Sequence, residues 1–161
     1  MYGPTNLQQF HTTLVAVPIC LLSTAVVFDF FGLITGVAAL GAVAYWAVAV
    51  GLAGAIVAAL VGWMEWVSIP SRSHSKGMAF AHALVNTLVV ILYTGSLLSR
   101  SADPLQPQIM AIIFSIMAAV AALVGGWVGG EMIEAHGKTN AETVISLDLS
   151  ISDETTAGGL Y

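Results

Sequence analysis

Four long apolar runs constrain the fold of this chain more than any other feature. They cover residues 10–31, 37–64, 78–98 and 109–130 of 161. A membrane's hydrocarbon core needs about 20 consecutive apolar residues of helix, so each run is long enough to cross it. Hydrocarbon offers no water to the backbone, and unalternating runs of this length therefore predict helices. Because the connections are short, we expect an all-α fold, a transmembrane antiparallel four-helix bundle.

The composition excludes a soluble globular domain and several kinds of site. Only 8% of the residues are charged and 58% are hydrophobic, whereas soluble domains carry about 25% charged residues. A net charge of −5 leaves no basic face that could bind nucleic acid. The lone Cys20 excludes an intrachain disulfide and a thiolate-bound iron–sulfur cluster. No basic residue precedes the first run, so we expect a retained helix rather than a signal peptide.

The ionisable residues gather near one end of the predicted bundle. With an even number of spans, the starts of runs one and three share a membrane face with the ends of runs two and four. Asp29, Arg100 and Asp103 mark the other face. Ionisable residues inside spans are costly and by default indicate function. The crowded end carries all four histidines and three glutamates: His11, Glu65, His74, His82, Glu131, Glu134 and His136.

Two histidines at similar depth suggest a b-type haem held between helices. His82 lies roughly 7 Å into its run at 1.5 Å per residue, and Asn86 shares its helix face one turn later. We expect His11 and His82 to ligate the iron, with Asn86 and Arg72 also contacting the cofactor. Glycine and alanine stripes would leave space for a planar group, or would serve helix packing. The leading hypothesis is an electron-transfer subunit of a redox assembly rather than a stand-alone enzyme, and a chlorin ligated by His82 stays open.

Two other chemistries use the same end of the bundle. A carboxylate-bridged metal site would draw on five residues, although the Glu-x-x-His signature of soluble di-iron bundles is absent. A proton relay through Glu65, His82 and Glu131 would need no cofactor. The candidate metal ligands are His11, His82, Glu65, Glu131 and His136.

The C-terminal segment departs from the membrane pattern. We assign residues 1–137 to the bundle and 138–161 to an acidic tail. Apolar and polar residues alternate in this tail, which predicts a strand at about 144–152. A lone strand cannot satisfy its edges, so we expect pairing with other copies or with another subunit of a membrane complex. A cofactor-free assembly subunit is therefore an alternative function, with oligomer contacts at Ile145, Leu147, Leu149 and Ile151.

Several successive motifs resemble a bacterial family of small four-span membrane proteins catalogued as a domain of unknown function. The motifs are HTTLVAVPICLL, VFDFFGLITG, AALVGWMEWVSIP, AFAHALVNTLVVILYTGSLLSR and GGWVGGEMIEAHG. Some members are fused to Rieske or rubredoxin-like domains, so the resemblance implies electron transfer in a bacterial inner membrane. Thr12 stands where the family usually has proline. The matching residues are His11, Asp29, Glu65, Pro70, His82, Asn86, Arg100, Gly130, Glu131 and His136.

The basic residues predict an orientation in the membrane. Arg72, Lys76 and Lys138 lie on the side of the two termini, against Arg100 on the other side. Loops rich in lysine and arginine stay in the cytoplasm. We therefore expect both termini to be cytoplasmic.

Overall fold

Four long helices make up the described part of the chain. The computed structural model describes residues 6–68, 74–100, 103, 105 and 107–158, excluding the side chains of 6–9, 74–75, 132–144 and 147–158. Within these residues the helices are α1 (Asn6–Thr35), α2 (Ala38–Ser68), α3 (His74–Arg100) and α4 (Ile109–Gly158), and no strand is present. The prediction of an all-α fold is confirmed for this part of the chain.

Each helix contains a segment long and apolar enough to cross a membrane. The segments are Phe10–Thr35, Ala38–Ser68, Lys76–Arg100 and Ile109–Glu131. Their outward surface is apolar: Trp46 is 65% exposed and Leu123 is 76% exposed. Soluble monomers rarely expose apolar surface on this scale. The surface is that of a multi-pass membrane protein whose side chains face lipid.

The helices associate as two closely packed hairpins, α1 with α2 and α3 with α4. The backbones of the two hairpins approach each other less often, and among the described residues α3 reaches α1 through side chains rather than by close backbone packing. Glycines permit the close approach within the first hairpin, because a Cβ on Gly51 would lie 2.9 Å from Leu22 and one on Gly54 would lie 3.6 Å from Pro18. Small residues allow membrane helices to pack in this way.

A tight turn joins α1 to α2. Gly36 adopts a φ of 69°, a left-handed conformation that glycine reaches without a Cβ penalty. Its N–H donates to the carbonyl of Gly32 over 2.9 Å and so ends the helix. Only Gly36 and Val37 separate the end of α1 from the start of α2.

An apolar core fills the middle of the bundle. The hydroxyl of Tyr93 crosses this core and donates to the carbonyl of Leu22 over 3.2 Å, which ties α3 to α1. The packed core separates the polar groups at the two ends of the bundle. Its buried members are Leu22, Ala25, Ala44, Ala47, Val48, Leu52, Val89, Tyr93 and Ala118.

The predicted C-terminal strand is wrong. Residues 144–152 belong to α4, which continues through residue 137 to Gly158 as one helix of 50 residues. An isolated strand leaves its backbone groups unpaired, whereas extending a helix that already exists adds one hydrogen bond per residue without a new nucleation step. A strand that could pair with other chains is therefore not present at 144–152. Ile145 is exposed on the helix, while the side chains of Leu147, Leu149 and Ile151 lie outside the described residues.

Candidate functional site

His82 is held in one orientation and one tautomer by neighbours on two helices. Its Nδ1 lies 3.0 Å from the carbonyl oxygen of Gly125 on α4. A carbonyl only accepts, so Nδ1 carries the proton and Nε2 accepts from the Asn86 amide over 3.1 Å. The same Asn86 nitrogen donates to the His82 carbonyl over 2.8 Å, which fixes the amide. Both ring nitrogens of His82 are therefore hydrogen-bonded.

Glycines on α4 make room for this ring. A Cβ at Gly129 would lie 3.1 Å from Cε1 of His82, and one at Gly125 would lie 3.4 Å from the Asn86 amide nitrogen. Contacts this short would force the imidazole to move. The glycine pattern of α4 thus accommodates an imidazole against the backbone.

His11 occupies an equivalent place on the first hairpin. A Cβ at Gly62 of α2 would lie 3.0 Å from Cε1 of His11. The ring also interacts with the backbone of Ala58 in the manner of a weak hydrogen bond, but no partner of the buried Nδ1 atom has hydrogen-bond geometry among the described residues. A buried polar atom without a partner costs about 1–3 kcal/mol. Such an atom marks a place where a proton, a water or a ligand would be stabilised.

The structure brings the two predicted histidines together. His11 and His82 are close enough to interact electrostatically, although the backbones of α1 and α3 do not pack closely against each other in the described chain. The imidazoles therefore approach across the diagonal of the bundle. His11 of α1 lies beside Gly62 of α2, and His82 of α3 lies beside Gly129 of α4. Each imidazole therefore packs against a glycine of the other helix in its own hairpin.

The carboxylates at this end are less well gathered. Glu65 follows Gly62 by three residues on α2, and its buried Oε1 atom has no partner among the described residues. Glu131 is exposed at the end of its span, and the side chain of His136 lies outside the described residues. No group of three His, Cys, Asp or Glu residues that could hold a metal occurs in the part of the chain that is described. The predicted five-residue site includes His136, so it stays a prediction.

An aromatic group borders the histidine end. Trp66 stacks near Trp63 and Phe80, with ring centroids 5.2 and 6.4 Å away. The Lys76 ammonium lies 4.8 Å above the Trp66 ring, an attractive cation–π arrangement. Lys76 is therefore engaged with an aromatic ring, while Arg72, a predicted cofactor contact, lies outside the described residues.

A second polar site lies at the opposite end of the bundle. Arg100 and Asp29 form a bidentate ion pair, with Nη1 to Oδ1 at 2.9 Å and Nη2 to Oδ2 at 2.8 Å. Both side chains are almost fully buried, at 0% and 1% exposed. The pair links α3 to α1 about 27 Å along α1 from His11, at 1.5 Å per residue.

Two serines complete this second site. The Arg100 Nη2 group also donates to Ser96 over 3.0 Å and to Ser115 over 3.1 Å. Ser96 donates in turn to the carbonyl of Ala111 over 2.8 Å. Three helices therefore meet at one guanidinium, and its Nε is left without a partner among the described residues.

Sequence reasoning did not assign Asp29 and Arg100 to a site, although the signal was present. In a chain with an even number of spans, the end of α1 and the end of α3 reach the same face. Opposite charges within spans are expected to pair.

A comparison with protein-family models places the chain in a known family. Residues 8–142 match the model described as "Predicted membrane protein (DUF2231)", which is most of the chain. The chain belongs to this family. The DUF2231 resemblance seen in the sequence motifs is therefore confirmed, and the family description agrees with four membrane-crossing helices. No curated protein and no solved structure matches the chain.

Residues that carry the DUF2231 resemblance lie in both polar sites. His11 and His82 interact electrostatically at one end, and Glu65 lies on the helix beside His11. Asp29 and Arg100 form the ion pair at the other end. The DUF2231 motifs of this chain thus include residues of a half-buried polar site and of a fully buried one, at opposite ends of an apolar core.

Proposed function

We propose that this protein is an integral membrane subunit whose His11–His82 pair exchanges protons with one membrane face. The observation that carries the proposal is the electrostatic interaction of His11 with His82 across the bundle, together with the buried Nδ1 atom of His11, which has no hydrogen-bond partner among the described residues. Imidazole gains and loses a proton more readily near neutral pH than any other unperturbed side chain. Intramembrane ionisable groups commonly serve proton relays.

The three residues have different roles in this proposal. Glu65 lies nearest the end of its span and exchanges protons with water at the membrane surface. His11 takes the proton on its open Nδ1 atom. His82 has both nitrogens occupied by Gly125 and Asn86, so its neutral ring keeps one orientation and acts on His11 through its fixed dipole. The apolar core beyond them closes the path, which makes the centre open to one face only.

Nuclear magnetic resonance of histidine-labelled protein in nanodiscs tests this function. We expect the His11 ring to take up and release a proton as the pH is varied, and His82→Gln and Glu65→Gln each to move the midpoint of this titration. Thr87→Val is the matched control, because Thr87 is exposed on α3 and hydrogen-bonds only the Ala83 carbonyl of its own helix. A His11 ring that does not titrate while the protein stays folded, or a midpoint that neither substitution moves, would refute the proposal.

A b-type haem between His11 and His82 is the second candidate. The diagonal approach of the two rings and the open Nδ1 of His11 favour it, and a haem would supply a one-electron carrier. The fit is partial, because the His82 lone pair accepts from Asn86 and ligation requires that amide to turn away. A Soret band in the purified protein that disappears in both His11→Gln and His82→Gln would establish haem binding. A colourless preparation from haem-replete cells would remove this candidate.

The structure also bears on orientation in a bacterial inner membrane. Arg100 is buried in its ion pair, so it does not act as a free loop charge against Arg72, Lys76 and Lys138. Within the antiparallel bundle that the hairpin contacts support, this strengthens the proposal of two cytoplasmic termini. A green fluorescent protein fused to the C-terminus should fluoresce, and alkaline phosphatase at the same place should be inactive. The reverse result would contradict the orientation.

A further inference from the structure

The last part of α4, residues 132–158, extends beyond the membrane without a companion helix in the described chain. The membrane segment of α4 ends at Glu131, and the helix runs on to Gly158, about 40 Å further at 1.5 Å per residue. No other described helix continues more than about one turn past either end of its membrane segment. A helix in water that packs against nothing is only marginally stable. This α4 extension therefore requires a partner from outside the chain.

The sequence of α4 carries an uncharged line of heptad positions, which we call the α4 seam. Residues spaced alternately by three and four share one helix face, and such a line forms the contact of a coiled coil. The spacing begins at Gly130 and ends before Glu154. Val144 and Ile151 hold one type of core position and Leu147 holds the other, a combination that favours two parallel strands. The seam positions are Gly130, Ile133, Gly137, Asn140, Val144, Leu147 and Ile151.

The charges of this acidic segment lie off the α4 seam. Glu134 and Asp148 hold positions that flank it. In a parallel pair of helices, a flanking position of one copy is placed opposite the preceding position on the other side of the seam in the second copy. Glu134 is then opposite Gly129. Asp148 is opposite Thr143, so like charges do not meet. Two copies of the same acidic helix can therefore approach along this line.

The α4 seam continues into the membrane segment as a pair of open glycines. Gly126 and Gly130 are one turn apart and exposed, and a Cβ on either would meet nothing within 4 Å. The adjacent Gly125 and Gly129 instead lie against side chains of α3. A glycine inside a helix costs about 1 kcal/mol relative to alanine, and no described contact within the chain requires glycine at 126 or 130. This spacing allows a second membrane helix to approach closely.

We propose that two copies of this protein pair through α4 as a parallel two-stranded coiled coil that runs from Gly126 to Ile151. The pairing is parallel because both copies cross the membrane in the same direction, and a two-fold axis presents the same face of each. Confinement to one membrane raises the effective concentration of the two seams. Asn140 fixes the register of the pair at some cost in stability. The contact is independent of the histidine pair, so either proposal can fail without the other.

Disulfide crosslinking of the full chain in proteoliposomes tests the contact. Cys20→Ser removes the native thiol, and one cysteine is then introduced by Leu147→Cys on the α4 seam or by Leu149→Cys on the opposite face. A disulfide needs its two Cα atoms within about 7 Å, so we expect oxidation to produce a covalent dimer about tenfold faster from Leu147→Cys. The variants are matched, because each exchanges leucine for cysteine in the same part of one helix.

Energy transfer between fluorescent proteins fused to the C-terminus measures pairing without a crosslink, in vesicles of increasing lipid content. Leu147→Asp places like charges opposite each other within the α4 seam and should raise the dissociation constant of the dimer about tenfold. Leu149→Asp is the control and should leave the constant unchanged. Circular dichroism of both variants checks that the bundle stays helical.

The other outcomes contradict the proposal. Equal crosslinking rates for Leu147→Cys and Leu149→Cys would show random collision, and a faster rate for Leu149→Cys would place the contact on the opposite face. A dissociation constant that Leu147→Asp leaves unchanged, or that both aspartate variants raise equally, would show that the α4 seam does not hold the two copies together.

Discussion

The buried ion pair gives the sharpest prediction about stability. Replacing Asp29 with leucine removes both acceptors of the Arg100 fork, at 2.9 and 2.8 Å, and leaves the cation inside the bundle with only Ser96 and Ser115. Guanidinium cannot lose its proton to escape this situation. Breaking a buried pair on one side costs about 3–5 kcal/mol, and we expect Asp29→Leu to lie in that range.

The reverse and double substitutions separate the charge from the packing. Arg100→Met leaves Ser96 bonded to the Ala111 carbonyl and Ser115 bonded to Ser96 at 2.8 Å, so the serines keep partners. A carboxylate can also take up a proton and become neutral, which makes Arg100→Met less harmful than Asp29→Leu. Apolar replacement of a whole buried pair is often neutral. The double variant should therefore recover most of the loss.

Unfolding of detergent-solubilised protein by increasing sodium dodecyl sulfate, followed by circular dichroism, measures all four forms. The expected order of stability is wild type, then the double variant close to it, then Arg100→Met, then Asp29→Leu. Asp29→Leu within about 1 kcal/mol of the wild type would refute the reasoning, since exposed pairs contribute no more than this. A double variant as unstable as Asp29→Leu would refute it as well.

Three further predictions concern packing, a buried hydroxyl and the tail. Gly51→Ala should lower the free energy of unfolding by about 1–3 kcal/mol in the same assay, because its Cβ would lie 2.9 Å from Leu22. Gly126→Ala is the control and should be neutral, because its Cβ would meet nothing within 4 Å. Equal effects would contradict the close approach of α1 and α2. Tyr93→Phe removes the hydroxyl that donates to α1 and should cost about 1 kcal/mol; no loss would mean that this bond does not contribute. The Cα chemical shift of Ile145 should be helical, and an extended value would restore the strand.

The sequence predicted the helices well and the tail poorly, for physical reasons. Long apolar runs have one stable form in hydrocarbon, so α1 to α4 followed from length and hydropathy. At 144–152 the alternation of Ile145 and other apolar residues with polar neighbours predicts a strand. That pattern carries little weight where no second strand exists and a helix already runs into the segment. The periodicity of a short segment carries no information on whether the preceding helix continues into it.

The candidate site was predictable in part. Depth along the spans brought His11 and His82 to one end, and helical spacing placed Asn86 beside His82, where it hydrogen-bonds. The sequence could not show which groups pack against the glycines of α4. A stripe of small residues is compatible with a planar cofactor, with a second helix or with a large side chain packed against the backbone. In this protein the packing of α4 against His82 identifies the third case.

The length of α4 has a mechanical consequence. Its membrane segment ends at Glu131 and the helix continues to Gly158, which at 1.5 Å per residue leaves a rod of about 40 Å beyond the hydrocarbon. A straight rod works as a lever: a change of about 10° in the tilt of its root, well within the range that membrane helices adopt, displaces its tip by about 7 Å. Small adjustments inside the lipid are thereby magnified at the acidic end of the chain.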